Sequence, residues 1–215
     1  SFYSYTTFQR CKVWENGLTL WTDTIEKNDN VHMAYLNRGV YHLDSKNLPA
    51  AEADLARSIE LDPTYAKSYY NRGLVYQQQR KFDAALQDYN KAIQLNPNLT
   101  YAYINRGNTY KDLNNIELAL ADYDRAIALD PTMPESYNNK GLLLQNMGNL
   151  QAALESYTKV LQLSPTYFNA LVNRGGLYSK SNQLDLAMQD YNKAIAVNPN
   201  AGSAFYGRGL VYNKR

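Results

Sequence analysis

Residues 66–99 read AKSYYNRGLVYQQQRKFDAALQDYNKAIQLNPNL, and the chain repeats this 34-residue pattern on both sides. Asn71-Arg72-Gly73 returns as Asn37-Arg38-Gly39, Asn105-Arg106-Gly107 and Asn173-Arg174-Gly175, with Asn139-Lys140-Gly141 and Gly207-Arg208-Gly209 in the remaining slots. Asp62-Pro63, Asn96-Pro97, Asp130-Pro131, Ser164-Pro165 and Asn198-Pro199 keep the same interval. A fixed period of this length means a stack of like units, each touching only its neighbours, rather than one globular core.

Within the reference unit, Tyr69, Gly73, Val75 and Tyr76 form one stripe at helical spacing, and Phe82, Ala85, Leu86, Tyr89, Ala92 and Ile93 form another. The spacing predicts two helices with a break near Gln79 to Lys81. Pro97 ends the second helix, because proline lacks the N–H donor and disfavours α geometry in the residue before it. The expected units are 32–65, 66–99, 100–133, 134–167 and 168–201. A degenerate N-terminal cap precedes them at 1–31, and the first helix of a sixth unit follows at 202–215.

Composition narrows the function. A net charge of +2 with interspersed signs supplies no basic patch for nucleic acid. One cysteine, Cys11, cannot form an internal disulfide and reads as a buried structural thiol. Two histidines, His32 and His42, make no zinc constellation. No run approaches the roughly 18 apolar residues that cross a bilayer, and no signal peptide opens the chain, so the expectation is a soluble piece. A start at Ser1 without methionine and an end in mid-pattern at Arg215 make an excised piece the expectation. No catalytic constellation or phosphate-binding glycine loop emerges, so neither an enzyme nor a cofactor is expected.

Numbered from Ala66 as position 1, the unit has Tyr69 at 4, Gly73 at 8, Tyr76 at 11, Ala85 at 20, Tyr89 at 24, Ala92 at 27 and Pro97 at 32. These residues resemble the tetratricopeptide repeat (TPR) pattern at all seven positions, over nearly the whole chain. The resemblance implies an all-α, right-handed superhelical solenoid of antiparallel helix hairpins, whose first helices line a concave face that binds proteins or peptides. The opening, with Arg10, Lys12-Val13-Trp14, Leu20-Trp21 and Ile25-Glu26-Lys27, also resembles the junction of membrane-anchored, glycosyltransferase-like TPR proteins. On that reading the repeats select substrates for such an enzyme from outside the cytoplasm; the alternative is an N-terminal cap with tryptophans as core.

On the concave face, position 6 is an asparagine in five units: Asn37, Asn71, Asn105, Asn139 and Asn173. A carboxamide both donates and accepts, so a row of them suits an extended peptide backbone. A similar ladder lines the TPR superhelix of O-linked N-acetylglucosamine transferase. Met33, Leu36, Val40, Tyr70, Leu74, Tyr101, Ile104 and Tyr206 are expected to give that groove apolar zones around a polar centre at Glu135, Asn138, Gln145 and Asn146. The carboxylate clamp of chaperone-binding repeats is excluded, since Ile104, Asn169 and Asn173 stand where its cations belong.

Arginine at position 7 tracks aspartate at position 23. Arg38, Arg72, Arg106 and Arg174 accompany Asp54, Asp88, Asp122 and Asp190, whereas Lys140 accompanies Ser156. This covariation predicts a bidentate pair inside the hairpin rather than an anion-binding stripe. In the sixth unit Phe205, Leu210, Val211 and Tyr212 lack a second helix, which makes self-association through that face a further expectation.

Overall fold

The computed structural model describes residues 16–214. Among them all regular structure is helical: α1 Gly17–Lys27, α2 His32–Asp44, α3 Leu48–Leu61, α4 Ala66–Gln78, α5 Phe82–Leu95, α6 Thr100–Asp112, α7 Ile116–Leu129, α8 Pro134–Asn146, α9 Leu150–Leu163, α10 Phe168–Lys180, α11 Leu184–Val197 and α12 Gly202–Tyr212. Two compact units divide between Thr109 and Tyr110. In the first, α2 pairs with α3 and α4 with α5, while α1 packs on α2 and α3 on α4. In the second, α8 pairs with α9 and α10 with α11; α7 packs on α8, α9 on α10, and α12 lies against α11 and α10.

Local chemistry sets where each helix stops. Asp62, Asn96, Asp130, Ser164 and Asn198 all take extended backbone before their proline, and the N–H of each closes the last turn onto the residue four earlier. Asp62 and Asp130 then accept from the backbone and hydroxyl of Thr64 and Thr132, which hold both carboxyls below the usual range. The hydroxyls of Tyr69, Tyr103 and Tyr137 donate back to the carbonyls of Pro63, Pro97 and Pro131, tying the next helix to the turn.

Between the two helices of a hairpin, one residue is left-handed: Lys46, Arg80, Asn114, Gly148 and Asn182, with φ from 58° to 81°. Only Gly148 adopts this without a side-chain penalty. A Cβ there would meet nothing within 4 Å. Gly148→Ala is therefore expected to cost about 1 kcal/mol through the backbone alone, read by thermal melting.

Small residues let the paired helices close together. Ala51, Ala85, Ala119, Ala153 and Ala187 are fully buried, and Tyr89, Tyr123 and Tyr157 fill the space beside them with no exposed surface. Where serine replaces alanine at position 27, Ser58 shares a buried 2.8 Å hydrogen bond with Ser68.

Val211 corrects the expectation of an uncovered C-terminal helix face. It is fully buried against Ala187, Met188 and Tyr191 of α11. Phe205, Leu210 and Tyr212, with Tyr206, are exposed. Cys11, Arg10 and Lys12-Val13-Trp14 lie outside the described residues, while Leu20, Trp21 and Ile25 are half-buried in α1. Among the described residues no helix is long and apolar enough to cross a membrane, and no group of three or more side chains could hold a metal.

Candidate functional site

The first helices carry two polar rows, a cation facing the partner helix, which is Lys140 in α8 and arginine elsewhere, and beside it an asparagine, which is Gly207 in α12. The arginines are engaged within the fold. Arg38 meets Asp54 through Nε and Nη2 at 2.7 Å each, Arg72 meets Asp88 at 2.8 and 2.9 Å, and Arg174 meets Asp190 at 2.8 Å twice. The three aspartates are buried. Donating hydrogen bonds to these carboxylates raises the pKa of each of the three guanidinium groups further. The pairs are bidentate, as the covariation predicts.

The remaining arm of the cation has a second task that the repeat pattern does not advertise. The Nη1 of Arg38, Arg106, Arg174 and Arg208 reaches Thr22, Asn90, Thr158 and Asn192, each sixteen residues earlier on the preceding helix pair. Lys140, next to the serine-substituted hairpin, puts its ammonium on Asp124 in the same place. In that repeat the acid has moved from the cation's own hairpin to the one before. Except at Arg72, where Ala56 offers no acceptor, the position-7 cation is therefore a staple between successive hairpins within each unit.

The asparagines are half-buried on the first-helix face. In the first unit Asn71 Nδ2 donates to the Lys67 carbonyl at 2.8 Å, and Asn105 Nδ2 donates to the Tyr101 carbonyl and the Tyr70 hydroxyl, both at 3.0 Å. Burial pushes the Tyr70 phenol up to about 12. In the second unit the Tyr157 hydroxyl donates to Gln145 Oε1 at 3.1 Å. Burial pushes the Tyr157 phenol up to about 12.

Around the asparagines the expected groove residues separate. Met33, Tyr101 and Tyr206 are exposed; Val40, Tyr70 and Leu74 are half-buried. Leu36 and Ile104 are corrected from groove to core, being 4% and 5% exposed. Leu36 packs between α3 and α4 against Leu43, Ala51, Leu55 and Val75, which consumes the surface a peptide would need. Asn138, expected in a polar centre, is likewise buried, with Oδ1 unpaired, and Gln145 is occupied by Tyr157.

Family models for the tetratricopeptide repeat match residues 14–66, 66–99, 134–167 and 168–201, and a TPR repeat model matches 107–148. The chain belongs to the tetratricopeptide repeat family. Among solved structures this TPR chain is similar to YrrB, a TPR protein with an unusual peptide-binding site, at 26% identity and a TM-score of 0.66; the match covers 88% of this chain and 97% of YrrB. It also resembles a chain of the APC/C hetero-tetramer Cut9-Hcn1 (22% identity, TM-score 0.78, 93% of this chain and 40% of that one). PilF of Pseudomonas aeruginosa matches at 21% identity and TM-score 0.76, over 86% of this chain and 89% of PilF. The last two establish the fold alone. No curated protein compared by sequence matches the chain.

Proposed function

We propose that this TPR array is a protein-interaction scaffold that holds an extended peptide segment on its first-helix face, through the asparagine row Asn37, Asn71, Asn105, Asn139 and Asn173. The observation that carries this reading is the contrast between two equally repetitive rows. The three bidentate arginines are committed to buried aspartates, while Asn71 and Asn105 remain half-exposed beside Tyr101 and Tyr70. A polar group repeated at a fixed position on an accessible face, flanked by aromatic surface, suits a ligand whose backbone also repeats. Similarity to YrrB, which has a peptide-binding site, supports a peptide as the ligand class.

The test is affinity for a peptide selected from a random library against the whole chain. Changing Asn71, Asn105 and Asn139 together to alanine is expected to weaken binding by at least about tenfold, from one to a few lost hydrogen bonds. Circular dichroism should show the helices intact, because none of the three is fully buried. Unchanged affinity would remove the ladder from the site.

A further inference from the structure

Donors of the ladder are already in use in the first unit: both N–H groups of Asn105 and one of the two on Asn71. A backbone carbonyl only accepts, so the amide atoms facing Lys67 and Tyr101 at 2.8 and 3.0 Å have to be nitrogens, and the two carboxamides cannot flip without setting oxygen against oxygen. Asn105 spends both of its N–H groups, one on Tyr101 and one on Tyr70. Its Oδ1 and that of Asn71 are engaged by no group among the described residues, and both side chains are half-exposed. Tyr70, by accepting from Asn105, keeps its own hydroxyl proton to give away.

We infer that in the first unit this face presents acceptors at Asn71 and Asn105, with donors at Tyr70 and the second Asn71 N–H, and so reads the N–H groups of an extended backbone at both asparagines, Asn105 without gripping a whole peptide unit bidentately. The inference rests on the peptide-binding reading and specifies its chemistry. In an extended chain the N–H groups along one edge recur every second residue, so two amide positions of like parity face the ladder. The ligand is therefore a segment with secondary amides at both positions; a proline or N-alkylated residue at either one cannot satisfy them. Side chains enter little into these bonds. Using the Asn105 N–H groups instead would first break its bonds to the Tyr101 carbonyl and the Tyr70 hydroxyl, so donation from Asn105 to the ligand gains nothing net.

The probe is a selected peptide of about twelve residues with no acidic side chain, measured by titration calorimetry. Each backbone amide is replaced in turn by an ester, which removes the N–H and keeps the planar trans linkage. Two positions an even number of residues apart should weaken binding about five- to tenfold, while the others stay within about twofold. On the protein side, Asn71→Ala removes the acceptor and should weaken binding of the probe about five- to tenfold.

A flat ester scan alongside a weakened alanine variant would overturn the acceptor assignment while leaving the groove in place. If the combined alanine replacement has no effect, or selection returns no peptide, the groove reading itself fails and takes this inference with it. The ester arm needs no protein variant, so a misfolded mutant cannot mask the answer.

Discussion

Asp88→Ala is expected to destabilise its hairpin by about 3–5 kcal/mol, because it strands the Arg72 guanidinium in a site built for a carboxylate. Asp88 is 5% exposed and makes both bonds of the pair, at 2.8 and 2.9 Å. Arg72 lacks the second acceptor found by other arginines of the row, since Ala56 stands where they meet Thr22, Asn90, Thr158 or Asn192. An exposed pair would be worth about 1 kcal/mol or less, and burial decides between the two cases. Repeat hairpins couple mainly to their neighbours, so hydrogen exchange should show the loss concentrated in α4 and α5. Thermal melting should fall by about 10 °C if the array melts as one, at about 2–4 °C per kcal/mol for a chain of this size. Replacing Arg72 and Asp88 together by leucines should recover most of the loss, because the cost lies in the unpaired charge rather than in the absent bridge. A melt unchanged by Asp88→Ala would place the arginine row on a free surface and reopen it as a ligand site.

How much of this was legible beforehand differs between the residues of the Asn-Arg-Gly triplet. Glycine was legible as a close-approach position because only a missing side chain explains an invariant spacing inside a helix, and in the structure a Cβ on Gly39, Gly73 or Gly141 would stand under 3.0 Å from the facing helix. Half of arginine's role was legible, since Asp54, Asp88 and Asp190 vary in step with it. The staple to the preceding hairpin was hidden because its partners are of different types, Thr22, Asn90, Asp124, Thr158 and Asn192, and hydroxyl, amide and carboxylate all accept equally well. The asparagine was legible as a row but not in its orientation. Which way a carboxamide turns depends on competition from a helix carbonyl four residues back and from a neighbouring tyrosine, and neither has a periodic signature. Leu36 and Ile104 were misplaced for a related reason. One helix turn separates groove from core, and burial at position 5 depends on where the next hairpin sits rather than on its own helix's pattern.

The triplet's glycine supports a prediction of similar size, with a change of sign. Tyr89→Ala should cost about 3–5 kcal/mol, as expected for emptying a fully buried aromatic site, and it also removes the 2.8 Å bond from its hydroxyl to Gln77. Gly73→Ala alone should also destabilise, although alanine is favoured over glycine in a helix by about 1 kcal/mol. The new Cβ would lie 2.6 Å from Tyr89 Cε1 and 2.8 Å from Cδ1, and the ring is held by its own hydroxyl bond and by full burial, so it cannot swing aside. Overpacking of this kind costs about 1–3 kcal/mol, enough to outweigh the helix preference. In the Tyr89→Ala background the obstruction is gone, and the same Gly73→Ala change should become stabilising by about 1 kcal/mol, since only the helix preference and some filling of the void remain. The double-mutant cycle, measured by denaturant titration, should therefore show a coupling of about 1–3 kcal/mol. Simple additivity would mean that Gly73 does not face Tyr89, and with it would fall the account of why glycine holds that place in every repeat.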